Sequence, residues 1–146
     1  MCCLLLVLCA CQTDLADLPT FSAERKLLQV VVEMPAGTTL EQHYDPETRE
    51  FKPVERAGLQ QRVEFLPFPG NLGFIPGTSL PASIAYPTSR PMPALVLADS
   101  QPAGTVLEVL PVALLLRDIN GSLEPIVIAV PARPAQRLLP EAVSLA

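Results

Sequence analysis

Apolar residues occur along the chain in short runs that prolines, glycines and polar turns separate. Residues 27–33 are rich in valine and leucine and end at Pro35-Ala36-Gly37, which is typical of a buried strand. Residues 42–44 and 51–56 flank a polar turn and predict a strand and its return strand. Residues 62–65 alternate between polar and apolar side chains, which predicts a half-exposed strand.

The second half of the chain carries the stronger strand signals. Residues 94–97 predict a strand. Residues 105–116 form a long apolar run that Pro111 interrupts, so they predict either one bent central strand or two short ones. The pair Asn120-Gly121, with apolar triplets before and after it, predicts a tight β-hairpin.

Proline is abundant, with 17 prolines against 7 glycines, which disfavours long helices and favours short strands joined by rigid turns. Residues 76–93 combine proline with serine and threonine and predict a loop. Only residues 135–146 show a weak helical pattern. A chain of 146 residues is long enough for one domain with a core. We therefore expect a mainly β fold, a small closed β-barrel with little helix.

The N-terminus differs from the rest of the chain. All four cysteines lie in the apolar residues 1–11, residues 12–26 are polar and predict a tether, and residues 27–146 predict the folded domain. Residues 8–11 (Leu-Cys-Ala-Cys) resemble the lipobox of a bacterial lipoprotein signal, which implies lipidation of Cys11 and a membrane-anchored periplasmic protein. No basic residues precede the apolar run as they do in ordinary signals, so an apolar N-terminus of a cytoplasmic protein is the alternative.

Charge and histidine content exclude several classes of function. The net charge is −5 and no run of lysine and arginine exists, which argues against nucleic acid as a partner. The body of the protein has no cysteine for a disulfide or a thiolate metal site. His43 is the only histidine, so neither a histidine metal site nor a Ser-His-Asp arrangement can be argued.

Two motifs carry a resemblance to a known family. Residues 68–76 read Phe-Pro-Gly-Asn-Leu-Gly-Phe-Ile-Pro, and residues 30–37 read Val-Val-Val-Glu-Met-Pro-Ala-Gly. With Ile-Ala-Val-Pro at 128–131, they resemble the family I soluble inorganic pyrophosphatases. The resemblance covers about residues 27–131 and implies a five-stranded OB-like barrel that uses Mg²⁺ to hydrolyse diphosphate to phosphate.

Some residues match the functional positions of that family. The resemblance implies metal-binding roles for Glu33, Asp118 and Glu124 and a phosphate contact for Arg56. Each also has a structural interpretation, since Glu33 ends a strand, Arg56 has neighbouring carboxylates, and Asp118 precedes a turn.

Other positions depart from the family pattern. The Asp-x-Asp-x-x-Asp cluster of the family falls on Thr88-Ser89-Arg90-Pro91-Met92-Pro93, which has no carboxylate and places a positive charge where a metal ion would sit. Two family tyrosines are Phe68 and Leu72 here, and two family lysines are Glu41 and Ile126.

Three hypotheses follow. The first is a non-catalytic pyrophosphatase-like domain, because the carboxylates that hold Mg²⁺ are lost. The second is a weak Mg²⁺-dependent diphosphatase that uses the four matching residues named above. The third is an OB-like binding module for an unrelated ligand.

Overall fold

The computed structural model describes residues 13–138, and all statements about structure below refer to this range. The predicted leader with Cys11, and most of the weak helical stretch at 135–146, lie outside it. The strands of this range are β1 (Leu28–Met34), β2 (Gln42–Asp45), β3 (Glu50–Pro53), β4 (Glu55–Arg56), β5 (Leu59–Gln60), β6 (Asn71–Leu80), β7 (Arg90–Val96), β8 (Val106–Ile119) and β9 (Ser122–Pro131). Three-residue 3-10 turns lie at Leu15–Asp17 and Pro134–Gln136.

Five of the strands close into a barrel in the order β1-β6-β7-β9-β8, and β8 pairs back with β1. The pair β7 and β9 is parallel, whereas the other four pairs of the barrel are antiparallel. A mixed, five-stranded closed sheet with almost no helix confirms the predicted mainly β, OB-like fold. The hairpins β2–β3 and β4–β5 form separate two-stranded sheets beside the barrel.

The barrel core consists of small aliphatic side chains, because the chain has no tryptophan and few other aromatics. Val30 and Val32 of β1, Val96 of β7 and Val109 of β8 are completely buried there. Alternate residues of a strand point to opposite faces, so the residues between them point away from the core. Glu33 of β1 lies at the register shift between Val32 and Met34 and, like Met34, lies outside the barrel core.

The predicted strands at 27–33, 42–44 and 94–97 are confirmed as parts of β1, β2 and β7. The apolar run at 105–116 belongs to one strand, β8, whose register shifts between Pro111 and Ala113. The expected bent strand is thus observed. The hairpin prediction is also confirmed, because Asn120 and Gly121 join β8 to β9 with φ of 53° and 83°, the left-handed conformations that a tight turn requires.

The prediction of a loop over residues 76–93 is wrong at both ends. Strand β6 continues to Leu80 and β7 begins at Arg90, so only the middle of this segment connects strands. β9 pairs with β7 only from Ala94 to Val96, so the edge of β7 that faces β9 is unpaired at Pro91 and Pro93. Proline is tolerated at these two positions because an unpaired edge requires no backbone N–H donor.

The half-exposed strand predicted at 62–65 is not formed. Arg62 makes only an isolated bridge with Leu40, and the side chain of Phe65 is 92% exposed. The pairing of this segment ends at Val63, whose N–H donates to the Thr39 carbonyl over 2.8 Å, so among the described residues it is too short to form a strand.

The polar residues that precede β1 lie against the barrel. The Thr20 hydroxyl donates to the Pro76 carbonyl over 2.9 Å, and Phe21 forms a bridge with Leu28. The Tyr44 hydroxyl donates to the Asp14 carboxylate over 2.8 Å. None of the helices in the described range is long and apolar enough to cross a membrane.

Asn71 fixes the loops at one end of the barrel. Its side chain is fully buried, accepts from the backbone N–H groups of Ala36 (3.1 Å) and Gln101 (2.8 Å), and donates to the Asp99 carbonyl (2.9 Å). A single amide therefore satisfies three backbone groups and links the loop at Ala36 to the loop at residues 99–101.

Candidate functional site

A pocket of about 570 Å³ lies against the outer face of the barrel, between the β2–β3 hairpin and the loop that joins β6 to β7. Its wall is mainly apolar, with Met34, Phe68, Leu72, Phe74, Pro93 and Ile126 among the residues that line it. The charged or titratable groups of the wall are Glu33, Glu41, His43, Tyr44, Tyr86, Arg90 and Arg117. An apolar cavity with a few polar groups is the usual form of a small-molecule site.

Glu33 lies at this pocket and is buried. Its Oε1 accepts the backbone N–H of Tyr44 over 2.8 Å, and its Oε2 lies 3.3 Å from Nδ1 of His43. The carboxylate thus ties β1 to the strand of the β2–β3 hairpin that covers it. Both of its oxygens are engaged by groups of the protein.

Glu124 is also buried, and three donors surround its carboxylate. The Ser83 and Ser122 hydroxyls donate to Oε1 over 2.5 Å and 2.6 Å, and Nη2 of Arg90 forms an ion pair with Oε2. The two serine hydroxyls, together with the Arg90 guanidinium, hold the pKa of Glu124 below its ordinary value. Glu124 is therefore a charged carboxylate, and each of its two oxygens already accepts from a protein donor.

Arg90 is the central cation of the pocket. Only 18% of its side chain is exposed, and its guanidinium carbon lies 3.9 Å from the centre of the Tyr86 ring. Its Nε is buried and donates to no group of the described residues. The resemblance implies a positive charge where a metal ion would sit, and the structure shows that this charge pairs with Glu124.

The other two matching residues lie elsewhere. Arg56 belongs to the exposed β4–β5 hairpin and does not line the pocket. Asp118 is exposed at the end of β8, where its Oδ1 accepts the Gly121 N–H over 2.8 Å, so it acts as the turn residue that its sequence context suggested. The structure therefore brings Glu33 and Arg90 to one pocket but leaves Arg56 and Asp118 outside it.

The side chains at and beside the pocket do not fit a Mg²⁺ site. Magnesium is held in such sites by carboxylates, waters and substrate phosphates in octahedral geometry. Residues 13–138 contain no group of three or more His, Cys, Asp and Glu side chains placed to bind a metal ion. The oxygens of Glu33 and Glu124 already accept from protein donors, one of which is the Arg90 guanidinium.

The sequence does not identify His43 as a pocket residue, because its proximity to Glu33 depends on how the β2–β3 hairpin folds over β1. The hydrogen bond with the Glu33 carboxylate raises the pKa of His43 above its ordinary value, against the opposing effect of burial. A raised pKa means that protonated His43 contributes stability below about pH 6.5, and that this contribution is lost as the pH rises through the pKa of the folded state.

We expect an NMR titration of His43, the only histidine, to give a pKa above about 6.5. The variant Glu33→Gln removes the carboxylate, so the pKa should fall back toward that of a free histidine. Glu41→Gln is the matched control, because Glu41 acts on His43 only through its charge and should cause a smaller decrease. A parent pKa at or below 6.5 would contradict the contact.

Comparison with known proteins shows which family this chain belongs to. The sequence model of inorganic pyrophosphatase matches residues 30–143, most of the chain. The chain belongs to the inorganic pyrophosphatase family. A search of curated protein sequences finds no match.

Solved pyrophosphatase structures share the fold. The inorganic pyrophosphatase of Thermus thermophilus is 30% identical, with a TM-score of 0.61, and the alignment covers 83% of this chain and 64% of that one. The Helicobacter pylori enzyme is 27% identical, with a TM-score of 0.58 and coverage of 72% and 56%. The Schistosoma japonicum inorganic pyrophosphatase, 20% identical with a TM-score of 0.67 and coverage of 79% and 46%, shares the fold alone. The chain thus spans less than two thirds of the length of these pyrophosphatases.

The positions that depart from the pyrophosphatase pattern cluster at the pocket. Phe68 and Leu72, where the resemblance implies two tyrosines, line it, as do Thr88, Ser89 and Arg90 of the segment where the resemblance implies the aspartate cluster. The positions at which the resemblance implies a departure thus lie together in the wall of one cavity, while Gly73 and Asn71 of the same motif shape the barrel.

Proposed function

We propose that this chain is a non-catalytic pyrophosphatase-like domain. The observation that carries the proposal is the Arg90–Glu124 ion pair, which places a guanidinium among the pocket residues that replace the metal-binding aspartates. Inorganic pyrophosphatases generally depend on Mg²⁺ and act on diphosphate. The half-buried guanidinium of Arg90 repels a divalent cation and occupies the carboxylate that such an ion would need.

Charge balance in the pocket supports the same conclusion for the substrate. The carboxylates of Glu33 and Glu41 offset the guanidinium groups of Arg90 and Arg117 on the wall, and Glu124 beside the wall already neutralises Arg90. Diphosphate is a small polyanion, which needs an excess of cationic and hydroxyl donors or bound metal ions. The apolar side chains of Phe68 and Leu72 supply no such donors.

A Mg²⁺ ion polarises the phosphoryl group and lowers the pKa of the attacking water in metal-dependent hydrolysis. The remaining pocket groups would have to replace this contribution of several kcal/mol, and none of them can take the role of a divalent Lewis acid. Neutral His43 could accept a proton, but it lies beside Glu33 and has no activated nucleophile among the described residues to serve.

The test is phosphate release from diphosphate with Mg²⁺, using the full chain and an active pyrophosphatase as the positive control. We expect turnover at least roughly 1,000-fold below that of the active enzyme, because the metal contribution is missing. Calorimetry should show no Mg²⁺ binding at millimolar concentrations.

The variant Glu33→Gln is the control for contaminating activity. Trace phosphate release from a contaminant is unchanged by this substitution, whereas release by the pocket itself must respond to it. Mg²⁺-dependent turnover that Glu33→Gln abolishes would show that the site is catalytic and would overturn the proposal.

A further inference from the structure

Most charges at the pocket are already paired within the protein. The Glu33 carboxylate lies 3.3 Å from Nδ1 of His43, and the Arg90 guanidinium forms an ion pair with Glu124. The wall carries two further charged side chains, Glu41 and Arg117, and the ion pairs of residues 13–138 include neither of them. The pocket thus presents one carboxylate and one guanidinium that have no ionic partner in this part of the chain.

Glu41 lies on the side of the pocket that the β2–β3 hairpin forms. It directly precedes β2 and is half-buried. Its backbone N–H donates to the Gln61 carbonyl over 3.0 Å, and its carbonyl accepts the Val54 N–H over 2.9 Å, so its place in the wall is fixed by the backbone. A carboxylate that is partly removed from water and has no cation beside it favours a cationic ligand.

Arg117 lies on the other side of the pocket, beside the loop that joins β6 to β7. Its Nη2 is 3.4 Å from the hydroxyl of Tyr86, which belongs to that loop. Glu124 is its partner in the pairing of β8 with β9, but this carboxylate already accepts from Arg90 and two serine hydroxyls. The guanidinium of Arg117 therefore remains available to an anionic ligand group, and its planar fork matches a carboxylate.

The rest of the wall restricts the ligand further. It is mainly apolar, so the part of a ligand that lies against it must be apolar as well. A ligand that satisfies the whole wall therefore carries one positive and one negative group, has no net charge, and has an apolar body between the two groups. Diphosphate has neither the positive group nor the apolar body.

We propose that the pocket binds a zwitterion of this kind, with the chemistry of a dipeptide of apolar residues. Its ammonium group pairs with Glu41 and its carboxylate with Arg117. The inference rests on the proposed function, because it takes the pocket to be a binding site without a metal ion. A ligand with only one charge would leave either Glu41 or Arg117 without a partner in a site from which it displaces water, which selects against such a ligand.

The first test is calorimetry on the full chain with three probes that differ in charge alone. They are the dipeptide leucyl-phenylalanine, its N-acetyl derivative, which lacks the positive charge, and its C-terminal amide, which lacks the negative charge. We expect the dipeptide to bind with a Kd in the millimolar range or tighter. Each derivative should bind at least about 5-fold more weakly, because one charge-assisted contact is lost.

The second test assigns each charge to its residue. Glu41→Gln should weaken binding of the dipeptide but leave binding of the N-acetyl derivative unchanged, and Arg117→Gln should do the same for the dipeptide and the amide. A general disturbance of the pocket would weaken every probe alike. Glu55→Gln and Arg56→Gln are the matched controls, since both residues are exposed on the β4–β5 hairpin outside the pocket, and they should leave each Kd unchanged.

Three results would overturn the inference. The dipeptide could fail to bind at millimolar concentrations, either derivative could bind as tightly as the dipeptide, or Glu41→Gln and Arg117→Gln could behave as their controls do. Phosphate release from diphosphate is measured separately on the same protein. Catalytic turnover would overturn the proposed function whether or not the dipeptide binds, whereas an inactive protein that does not bind the dipeptide would overturn only this inference.

Discussion

The variant Gly73→Ala should lose most of the stability of the fold. A Cβ atom at this position would lie 1.8 Å from the carbonyl oxygen of Val31 and 2.8 Å from its carbonyl carbon. These atoms belong to the backbone of β1, so no side-chain rotation can relieve the clash. Because β1 and β6 are neighbours in the closed barrel, separating them strains the whole sheet. We expect a loss of at least about 4 kcal/mol in the free energy of unfolding.

The measurement is urea unfolding of Gly73→Ala beside a matched glycine variant. Gly37→Ala is the control, because a Cβ at Gly37 meets nothing within 4 Å and only the positive φ of 80° opposes the change. That conformation costs an alanine about 1–2 kcal/mol. A loss for Gly73→Ala no larger than that for Gly37→Ala would show that β1 and β6 do not approach as closely as described.

The sequence predicted those parts of the fold that local chemistry determines. Alternation and turn residues sufficed for β1 and for the hairpin at Asn120-Gly121, since neighbours along the chain fix both. The last residues of β6 and the first residues of β7 were predicted as loop because this segment is rich in proline. Whether a strand tolerates Pro91 depends on which of its two edges is paired, and the number of prolines does not reveal that.

The sequence predicted only those residues of the candidate site whose positions the family motifs determine. Glu33 and Arg90 are at the pocket because the motif fixed their places in the fold. Their partners depend on tertiary structure: His43 meets Glu33 because the β2–β3 hairpin folds over β1, and Ser83 meets Glu124 from 41 residues away in sequence. Asp118 matched the motif equally well, but its local turn determines its contact.

The variant Arg90→Met should destabilise the protein strongly at neutral pH. The substitution removes the guanidinium that pairs with Glu124, which is a buried carboxylate. Only two hydrogen bonds to that carboxylate then remain, those of the Ser83 and Ser122 hydroxyls. An uncompensated buried carboxylate is costly, whereas the ion pair itself is not a large net gain. We expect a decrease in Tm of roughly 5–10 °C. Arg25→Met, which breaks an exposed ion pair with Glu108, should lower Tm by less than about 3 °C.

Two further measurements distinguish loss of charge compensation from loss of packing in Arg90→Met. The pKa of Glu124 is lower in the folded parent than in the unfolded chain. Ionised Glu124 therefore stabilises the fold at pH values above the pKa of the unfolded state, and this stabilisation is lost as the pH falls through the pKa of the folded state. The difference in Tm between parent and variant should therefore shrink below about pH 4. The double variant Arg90→Met/Glu124→Gln should recover most of the lost stability, because no buried charge is left unpaired. A double variant as unstable as Arg90→Met would mean that packing on Tyr86, and not the charge of Glu124, is what Arg90 supplies.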